Sequence, residues 1–327
     1  VPTVAADAAL AECLGALARQ EFRDFEIVIV DNSAGHAVTK LPGVASVTVM
    51  ESGHNLGYGG AVNFAARGGD SEFVVALNDD AAPEPGWLGS LVSAMDGHPR
   101  AGMAASLVKI SGTDRIDSAG MLLAADGSSK QRGHGEDAAR FSKLEEVLLP
   151  SGSAALYRRS MLDEVGWFDE RFFLYCEDTD LGLRARWAGW TCVFVADAVV
   201  NHRYSHSAGR ASPLKAYYVE RNRLSVVVKT FPFSMMVAAP FHTVARYFWH
   251  LILMFSGEGA AGKFHQQGGS PFVLAWCAIR AHFALLGNLG WLIRARRKIM
   301  GGAKIGEGQF RELARRFKIS SREVAGQ

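Results

Sequence analysis

The sequence predicts an α/β protein built on a parallel sheet, followed by a helical, apolar C-terminal extension. Three observations predict it. Short β-branched runs alternate with helical patterns over residues 1–212. Acidic or Gly-rich turns follow several of these runs, where open α/β sheets bind ligands. From residue 213 onward, long apolar stretches carry interspersed basic residues. Of the 327 residues, 49% are hydrophobic and 21% charged, which excludes a disordered chain. A formal net charge of +2 gives no global attraction for nucleic acid. The four cysteines (Cys13, Cys176, Cys192, Cys277) form no CxxC pair, so a zinc knuckle is not expected and reduced cytosolic thiols are. The N-terminus shows no charged region leading into an apolar one, so no signal peptide is expected.

Leu10 to Gln20 has helical spacing, with Leu10, Leu14 and Leu17 on one face. FEIVIVDNS is a strand ending in Asp31, and VASVTVM (44–50) is another strand. HNLGYGGAVNFA is a Gly-rich turn into a helix. Gly57, Gly59 and Gly60 permit a tight turn and close backbone approach to a ligand, while Asn55 and Asn63 suit either helix caps or sugar and base contacts. It lacks GK[ST] and is no GxGxxG fingerprint, so it is a weak phosphate signal. EFVVALNDDA is a third strand whose tip carries Asn78, Asp79 and Asp80. The prolines beyond it open a helix. AGMAASLVKI is a strand, and the Gly/Ser/Asp-rich stretch from Asp126 to Glu136 is expected to be a mobile loop. Residues 151–202 read as strand, helix, acidic loop, helix, strand, the last ending in His202.

The acids at these tips suit particular chemistry. Carboxylate and amide oxygens at the end of LNDDA suit Mg²⁺ or Mn²⁺ together with a diphosphate, against the simpler account of an Asp-rich turn. Asp31 suits a ligand contact or a turn. Glu177, Asp178 and Asp180 cluster at a helix start, where the dipole favours acids. Their mutual repulsion raises one carboxylate's pKa, as a general base requires. A neutral His202 suits a metal ligand.

The apolar segments FPFSMMVAAPFHTVARYFWHLILMF and PFVLAWCAIRAHFALLGNLGWLI are interrupted by Pro240 and Arg246, and by Arg280 and His282. Their uninterrupted runs fall short of a span. With the basic RARRK that follows, they suit helices lying in a membrane interface, against packing as a helical core.

In their order, LAECLGAL, IVIVDNS, HNLGYGGAVNFA, LNDDA, SGSAALYRRSMLDEVGWFDERFFLYCEDTDLGLR, VVNH and YYVERNRL resemble glycosyltransferase family 2 with the GT-A fold, nearest its non-processive, rhamnosyltransferase-like branch. The resemblance runs from Val1 to about Arg223 and divides the chain into a catalytic domain, 1–212, and a helical, membrane-associated region, 213–327. It implies that most of the family's first strand is missing here. It also implies that Asp31 contacts the nucleotide base and that Pro2 and Thr3 line the nucleotide pocket. The DxD motif maps to Asn78-Asp79-Asp80, with Asp80 the main metal carboxylate and His202 completing the metal site. The ED motif maps to Glu177-Asp178, with Asp178 the catalytic base. Asn55, Gly57, Asn78, Asp79 and Glu177 fall with the donor site, and Arg221 and Arg223 are assigned to the diphosphate or a lipid-linked acceptor. The QxxRW motif of processive synthases is absent.

The function so implied is inverting transfer of rhamnose or a similar hexose from a dTDP-, UDP- or GDP-linked donor. The acceptor is a hydroxyl on a glycan or polyprenyl-diphosphate-linked chain in cell-surface polysaccharide synthesis. The cofactor is Mg²⁺ or Mn²⁺, and the place is the inner face of the cell membrane, peripherally bound. The alternatives are a nucleotidyltransferase of related fold and a non-catalytic, membrane-associated nucleotide-sugar binding protein.

Overall fold

The computed structural model describes residues 1–33, 38, 47–203 and 212–326. After β1 (Pro2–Thr3), the Asp7 carboxylate caps α1 (Ala8–Ala18) by accepting from the amides of Ala9 and Leu10. Then come β2 (Val28–Asp31), β3 (Thr48–Glu51), α2 (Gly57–Ala66), β4 (Phe73–Leu77), β5 (Ala81–Pro83) and α3 (Trp87–Asp96). Residues 44–46 of the strand expected before β3 lie outside the described residues. Next are β6 (Ala101–Ile110), β7 (Ile116–Ser118), β8 (Met121–Leu123), β9 (Ser129–Gln131), β10 (Glu145–Val147), β11 (Ala154–Arg158), α4 (Arg159–Val165), α5 (Glu177–Trp187) and β12 (Thr191–His202). Helices complete the chain: α6 (Pro213–Thr230), α7 (Phe233–Ser256), α8 (Gly259–Gln266), α9 (Pro271–Gly301), α10 (Glu307–Arg316) and α11 (Ser321–Gly326).

The chain divides into two compact units. The first holds Val1–Met121, Gln131–Phe173 and Trp190–Tyr204, and the second holds Leu122–Lys130, Leu174–Gly189 and Ser205–Gln327. A single cut at residue 212 therefore does not describe the division, because α5 and the hairpin around residue 126 group with the C-terminal helices.

In the first unit, β1, β2 and β3 form a parallel sheet that places Thr3 opposite Asp31 at its carboxyl edge. The larger sheet runs β10-β12-β6-β11-β4, with β5 added on β12 and β7 on β6. It is mixed: β12 and β6 are parallel, while β11 lies antiparallel between β4 and β6. An apolar run such as AALYR fits a strand buried on both faces but carries no direction, so β11's orientation is not written in it. The core lies between sheet and helices: Leu10, Leu14 and Leu17 of α1 and Trp87, Leu91 and Met95 of α3 cluster with Leu77, Val193 and Val200. Buried Trp87 keeps its indole N–H satisfied by donating to Ser106 Oγ at 2.8 Å.

Gly57 has φ +73°, and a Cβ there would lie 2.1 Å from the Phe173 carbonyl oxygen, which accepts from Tyr58 N at 2.9 Å. The close backbone approach expected at this turn is thus made to Phe173, not to a ligand. Asn63 is likewise structural. Its amide donates to Phe168 O and Glu170 Oε1, both at 2.9 Å, and accepts from Phe168 N.

In the second unit, α6 packs on α9, and α7 packs on α8 and α11. The stretch from Asp126 expected to be mobile is instead built around the β8–β9 sheet, with Asp126 fully buried. The reason is charge. Arg246 donates from Nε to Asp126 Oδ2 and from Nη2 to Glu220 Oε2, each at 2.6 Å, and Arg223 donates from Nη2 to Glu220 Oε1 at 2.5 Å. Two carboxylates and two guanidiniums neutralise one another out of water. Removing one member of such a set typically costs ~3–5 kcal/mol, because a buried charge is left alone.

The interruptions expected in the apolar segments do not break their helices. α7 runs 24 residues through Pro240, and α9 runs 31 through Arg280 and His282. The Arg280 guanidinium sits over the Tyr217 ring at 4.8 Å, and His282 Nδ1 lies 2.8 Å from its own helix's Ala278 carbonyl. Among the described residues, α9 is the helix long and apolar enough to cross a membrane by length and composition. Both helices also expose apolar side chains at heptad-like spacing: Val237, Phe241, Val244, Phe248, Leu251 and Phe255 on α7, and Phe272, Trp276, Ile279, Phe283 and Leu286 on α9.

Candidate active site

The LNDDA tip leaves β4 in a tight turn. Asn78 N donates to Ser153 O at 2.9 Å, Ala81 N bonds back to Asn78 O, and β5 begins at Ala81. β12 brings in the histidine. Its long run is bulged between Val195 and Val199, pairs parallel with β6, and ends with His202 opposite Ala81 of β5. His202 Nε2 thereby comes 3.1 Å from Asp80 Oδ1 and 3.3 Å from the Asn78 amide nitrogen. The other ring nitrogen, Nδ1, lies 2.9 Å from Asp117 Oδ2. Asp117 sits on β7, which β6 carries, and its second oxygen is 3.1 Å from His134 Nδ1. All three central groups (Asp80, Asp117, His202) are buried.

Burial alone disfavours a charged His202 ring. The hydrogen bond the ring donates to Asp117, with the charges of Asp80 and Asp117, outweighs it and holds the ring's pKa up at about 9. Burial pushes Asp117 up, but the hydrogen bonds from His134 and His202 win and leave it below the usual carboxylate range. A cation placed between Asp80 and His202 takes over the role of the Nε2 proton.

Among the described residues, no group of three or more His, Cys, Asp or Glu side chains is gathered to hold a metal. The chain offers one carboxylate and one imidazole. That donor set fits Mn²⁺ or Mg²⁺ whose other positions are filled by water and phosphate oxygens, and Asp117 orients the imidazole as outer partners of metal-ligating histidines do.

The remaining residues of the first unit separate clearly. Thr3 Oγ lies 2.6 Å from Asp79 Oδ2, tying β1 to the LNDDA turn. Burial raises the Asp79 pKa, and the Thr3 hydrogen bond opposes this. Asp79 is thus packed against Thr3 rather than turned to solvent. Pro2 is buried beside Val30 of β2. Asp31, also buried, accepts from Ser33 N at 2.8 Å, Ser33 Oγ at 2.6 Å and Val38 N at 3.2 Å, so the loop after β2 uses its carboxylate. Asn55 accepts from Gly57 N at 2.8 Å and serves the turn into α2.

The second unit holds the other acidic group. Glu177 and Asp178 open α5, preceded by three non-glycine residues with positive φ: Phe173, Tyr175 and Cys176. Such strain persists only where surroundings enforce it. Asn222 of α6, itself buried, donates to both the Leu174 and Tyr175 carbonyls at 2.7 Å and clamps this turn. Glu177 is the acid whose pKa rises: burial and then the Asp178 charge push it up to about 8. Asp178, the other acid of the pair, accepts from Thr179 N at 2.6 Å. Asp180 does not join the repulsion expected of it. Lys229 Nζ at 2.7 Å and Arg184 Nε at 2.9 Å neutralise it.

Arg223 is corrected too. It is 1% exposed and spends four of its five N–H groups on Glu220, Asp126 and Thr243, which suits a buried structural mount rather than a ligand contact. Arg221 donates to the Asn222 side chain at 2.8 Å and stacks on Tyr218 at 4.8 Å. Sequence reasoning missed Asp117, His134 and Asn222. An acid inside the short apolar run IDSA was the available signal for Asp117; nothing local marked the other two.

Strand order and strand-tip acids of this kind fit the GT-A fold. S. aureus TarS 1-349 in complex with UDP-GlcNAc superposes with TM-score 0.54 at 16% identity, over 95% of this chain and 90% of that one. GalNAc-T7 with UDP, GalNAc and Mn²⁺ gives TM-score 0.54 at 15% identity over 68% of this chain, which spans 45% of that one. These likenesses carry the fold alone. Sequence carries the family. The model for Glycosyl transferase family 2 matches residues 1–166. The N-acetylglucosaminyl-diphospho-decaprenol L-rhamnosyltransferase of Mycobacterium tuberculosis is 34% identical over 235 residues, covering 63% of this chain and 76% of that protein. The chain belongs to glycosyltransferase family 2, and the nucleotidyltransferase alternative falls with that membership.

If Asp117 positions His202, Asp117→Asn keeps the fold but lowers the Mn²⁺ affinity of the donor-bound protein by about 10–100-fold. Titration of Mn²⁺ against protein and UDP reads this directly; unchanged affinity contradicts the role.

Proposed function

We propose that the chain is an inverting, metal-dependent transferase that moves rhamnose or a similar hexose from a nucleoside-diphosphate donor. The acceptor is a hydroxyl on a polyprenyl-diphosphate-linked glycan. The observation that carries the donor half is the Asp80–His202 pair, 3.1 Å apart at the ends of β4 and β12 with Asp117 behind the imidazole. Relatives support the acceptor half: the M. tuberculosis protein's name specifies a diphospho-decaprenol glycan and L-rhamnose.

In this reading Asp80 and His202 hold Mn²⁺ or Mg²⁺, which when bound supplies positive charge for the departing diphosphate. Thr3 and Asp31, facing each other across β1 and β2, line the nucleotide end of the donor site with Pro2. Asn78 and Asp79 hold the turn that presents Asp80. Asp178, beside Glu177 whose pKa is pushed up to about 8, accepts the acceptor hydroxyl's proton. As that proton leaves, the hydroxyl oxygen bonds to the anomeric carbon. The bond from that carbon to the diphosphate oxygen breaks on the opposite face, and its electron pair departs with the nucleoside diphosphate. One displacement inverts the anomeric centre without a covalent enzyme intermediate.

Asp178→Asn and Asp80→Ala separate the two roles. Asp178→Asn is expected to lower the transfer rate at least about 10³-fold while nucleotide-sugar binding in Mn²⁺ stays within about twofold. Asp80→Ala is expected to abolish the Mn²⁺-dependent part of that binding by calorimetry. Near wild-type transfer by Asp178→Asn removes the base; binding that ignores Mn²⁺ in the wild type removes the metal site.

The exposed apolar stripes of α7 and α9, with Arg294, Arg296, Arg297 and Lys298 at the end of α9, support attachment to an anionic membrane surface. The inner leaflet of the cell membrane is the corresponding place in the cell. The intact chain is expected to sediment with phosphatidylglycerol vesicles and to do so less at high salt; no sedimentation at low salt contradicts the attachment.

A further inference from the structure

Among the described residues of the second unit, the donors without acceptors include an ammonium and an imidazole N–H. Asp126 and Glu220 are matched by Arg223 and Arg246. Lys130, half-buried at β9, has no carboxylate, carbonyl or ring partner among the described residues. Its neighbours are cations. Burial, then the charges of Lys215, Arg246 and Lys263, push its ammonium pKa down to about 8, so it still carries its proton at neutral pH. Burying an ammonium without a counter-charge is costly, and proteins seldom do so without a partner for it.

His250 on α7 is the second. Its Nε2 lies 3.3 Å from Arg246 Nη1. A guanidinium only donates, so Nε2 is the acceptor and Nδ1 carries the proton of the neutral ring. Burial, then the nearby charges of Arg246 and Lys130, keep that ring neutral, its pKa down at about 4. Yet Nδ1 is buried with no hydrogen-bond partner. An N–H and an ammonium, each lacking an acceptor among the described residues, thus stand together in the cationic surroundings of Arg246.

α6 adds a third cation and a location. Lys215, Val219 and Asn222 share one face of α6. Lys215 Nζ lies 5.6 Å from the Tyr175 ring centroid, Cys176 Sγ is 4.0 Å from Val219 O, and Asn222 binds the Leu174 and Tyr175 carbonyls. That face therefore lies along the turn that delivers Glu177 and Asp178.

We propose that Lys130, His250 and Lys215 form an anion site in the second unit that takes the diphosphate of a lipid-linked acceptor, beside the helix that carries Asp178. This cluster supplies what a diphosphate needs: a buried neutral N–H, two ammonium groups, and a rigid Arg246 neighbour whose own charge is already balanced. Calling the anion the acceptor's rests on Asp178 being the base; the existence of the site does not.

The test is calorimetric titration of the full-length protein with inorganic pyrophosphate in EDTA, which suppresses the metal-dependent donor site. Lys130→Met is expected to weaken binding about tenfold, with Lys130→Arg within about threefold of wild type and Asp80→Ala and Asp178→Asn unchanged. Should Lys130→Met fail to fold, Lys215→Met carries the same comparison with an expected loss of about threefold. Binding lost in Asp80→Ala but kept in the lysine variants overturns the proposal. Geranyl diphosphate is expected to displace pyrophosphate, whereas phosphatidylglycerol vesicles are not. Displacement by vesicles alone overturns the acceptor assignment and makes the ligand a phospholipid headgroup. Because pyrophosphate binding needs no turnover, an inactive protein that still shows this pattern separates failure of the transfer reaction from failure of the site.

Discussion

The contact between His202 Nδ1 and Asp117 is the constraint on which the proposed donor site depends. An imidazole can present Nε2 to a cation only if its other nitrogen is held, and Asp117 holds it at 2.9 Å. Asp117 is in place because β7 pairs with β6, and His202 because β12 pairs with both β6 and β5. The LNDDA turn then needs only to bring Asp80 to the free face of the ring. Two side chains from distant parts of the sequence come within 3.1 Å of each other through strand register, as the proposed cation site requires. The apolar packing of α1 and α3 on the sheet maintains that register.

The second unit solves a different problem, which is presenting a carboxylate at a helix start whose approach is strained. Three non-glycine residues with positive φ in the turn before α5 have a backbone cost of order 1–3 kcal/mol each. Asn222 offsets part of it through two hydrogen bonds to that turn. Asn222 is fixed in turn because its neighbours Glu220 and Arg223 are locked into the ionic cluster with Asp126 and Arg246. The cluster thus acts less as a source of stability than as a rigid mount. Its neutrality is also why the unpartnered Lys130 stands out.

Much of the fold and part of the site were legible in the sequence, and the divide follows interaction range. Strand-tip acids are visible because the apolar run, the turn and the acid adjoin, as in VVALNDDA and IVIVDNS. The family resemblance supplied the roles proposed for Asp80, Asp178 and His202. Asp117 was invisible because its meaning comes from pairing with a histidine 85 residues away. Arg223 was misread for the same reason: its partner Asp126 lies 97 residues back, inside a polar stretch that looks mobile until its charge is matched. Gly57 was read correctly as a point of close approach but given the wrong neighbour, since nothing local specifies the Phe173 carbonyl. In the apolar helices, Arg280 and His282 looked like breaks because the ring and carbonyl that accommodate them cannot be seen in a hydropathy pattern.

The central claim is that Asp80 and His202 hold a divalent cation beneath a nucleoside diphosphate, with Asp117 fixing the imidazole. Anomalous diffraction at the manganese edge, from crystals of the full chain grown with UDP and Mn²⁺, tests it most directly. The account predicts one strong peak within bonding distance of an Asp80 carboxylate oxygen, His202 Nε2 and the UDP diphosphate, with His202 Nδ1 still on Asp117. A diphosphate bound with its manganese on other side chains, or His202 turned away from the peak, would contradict it.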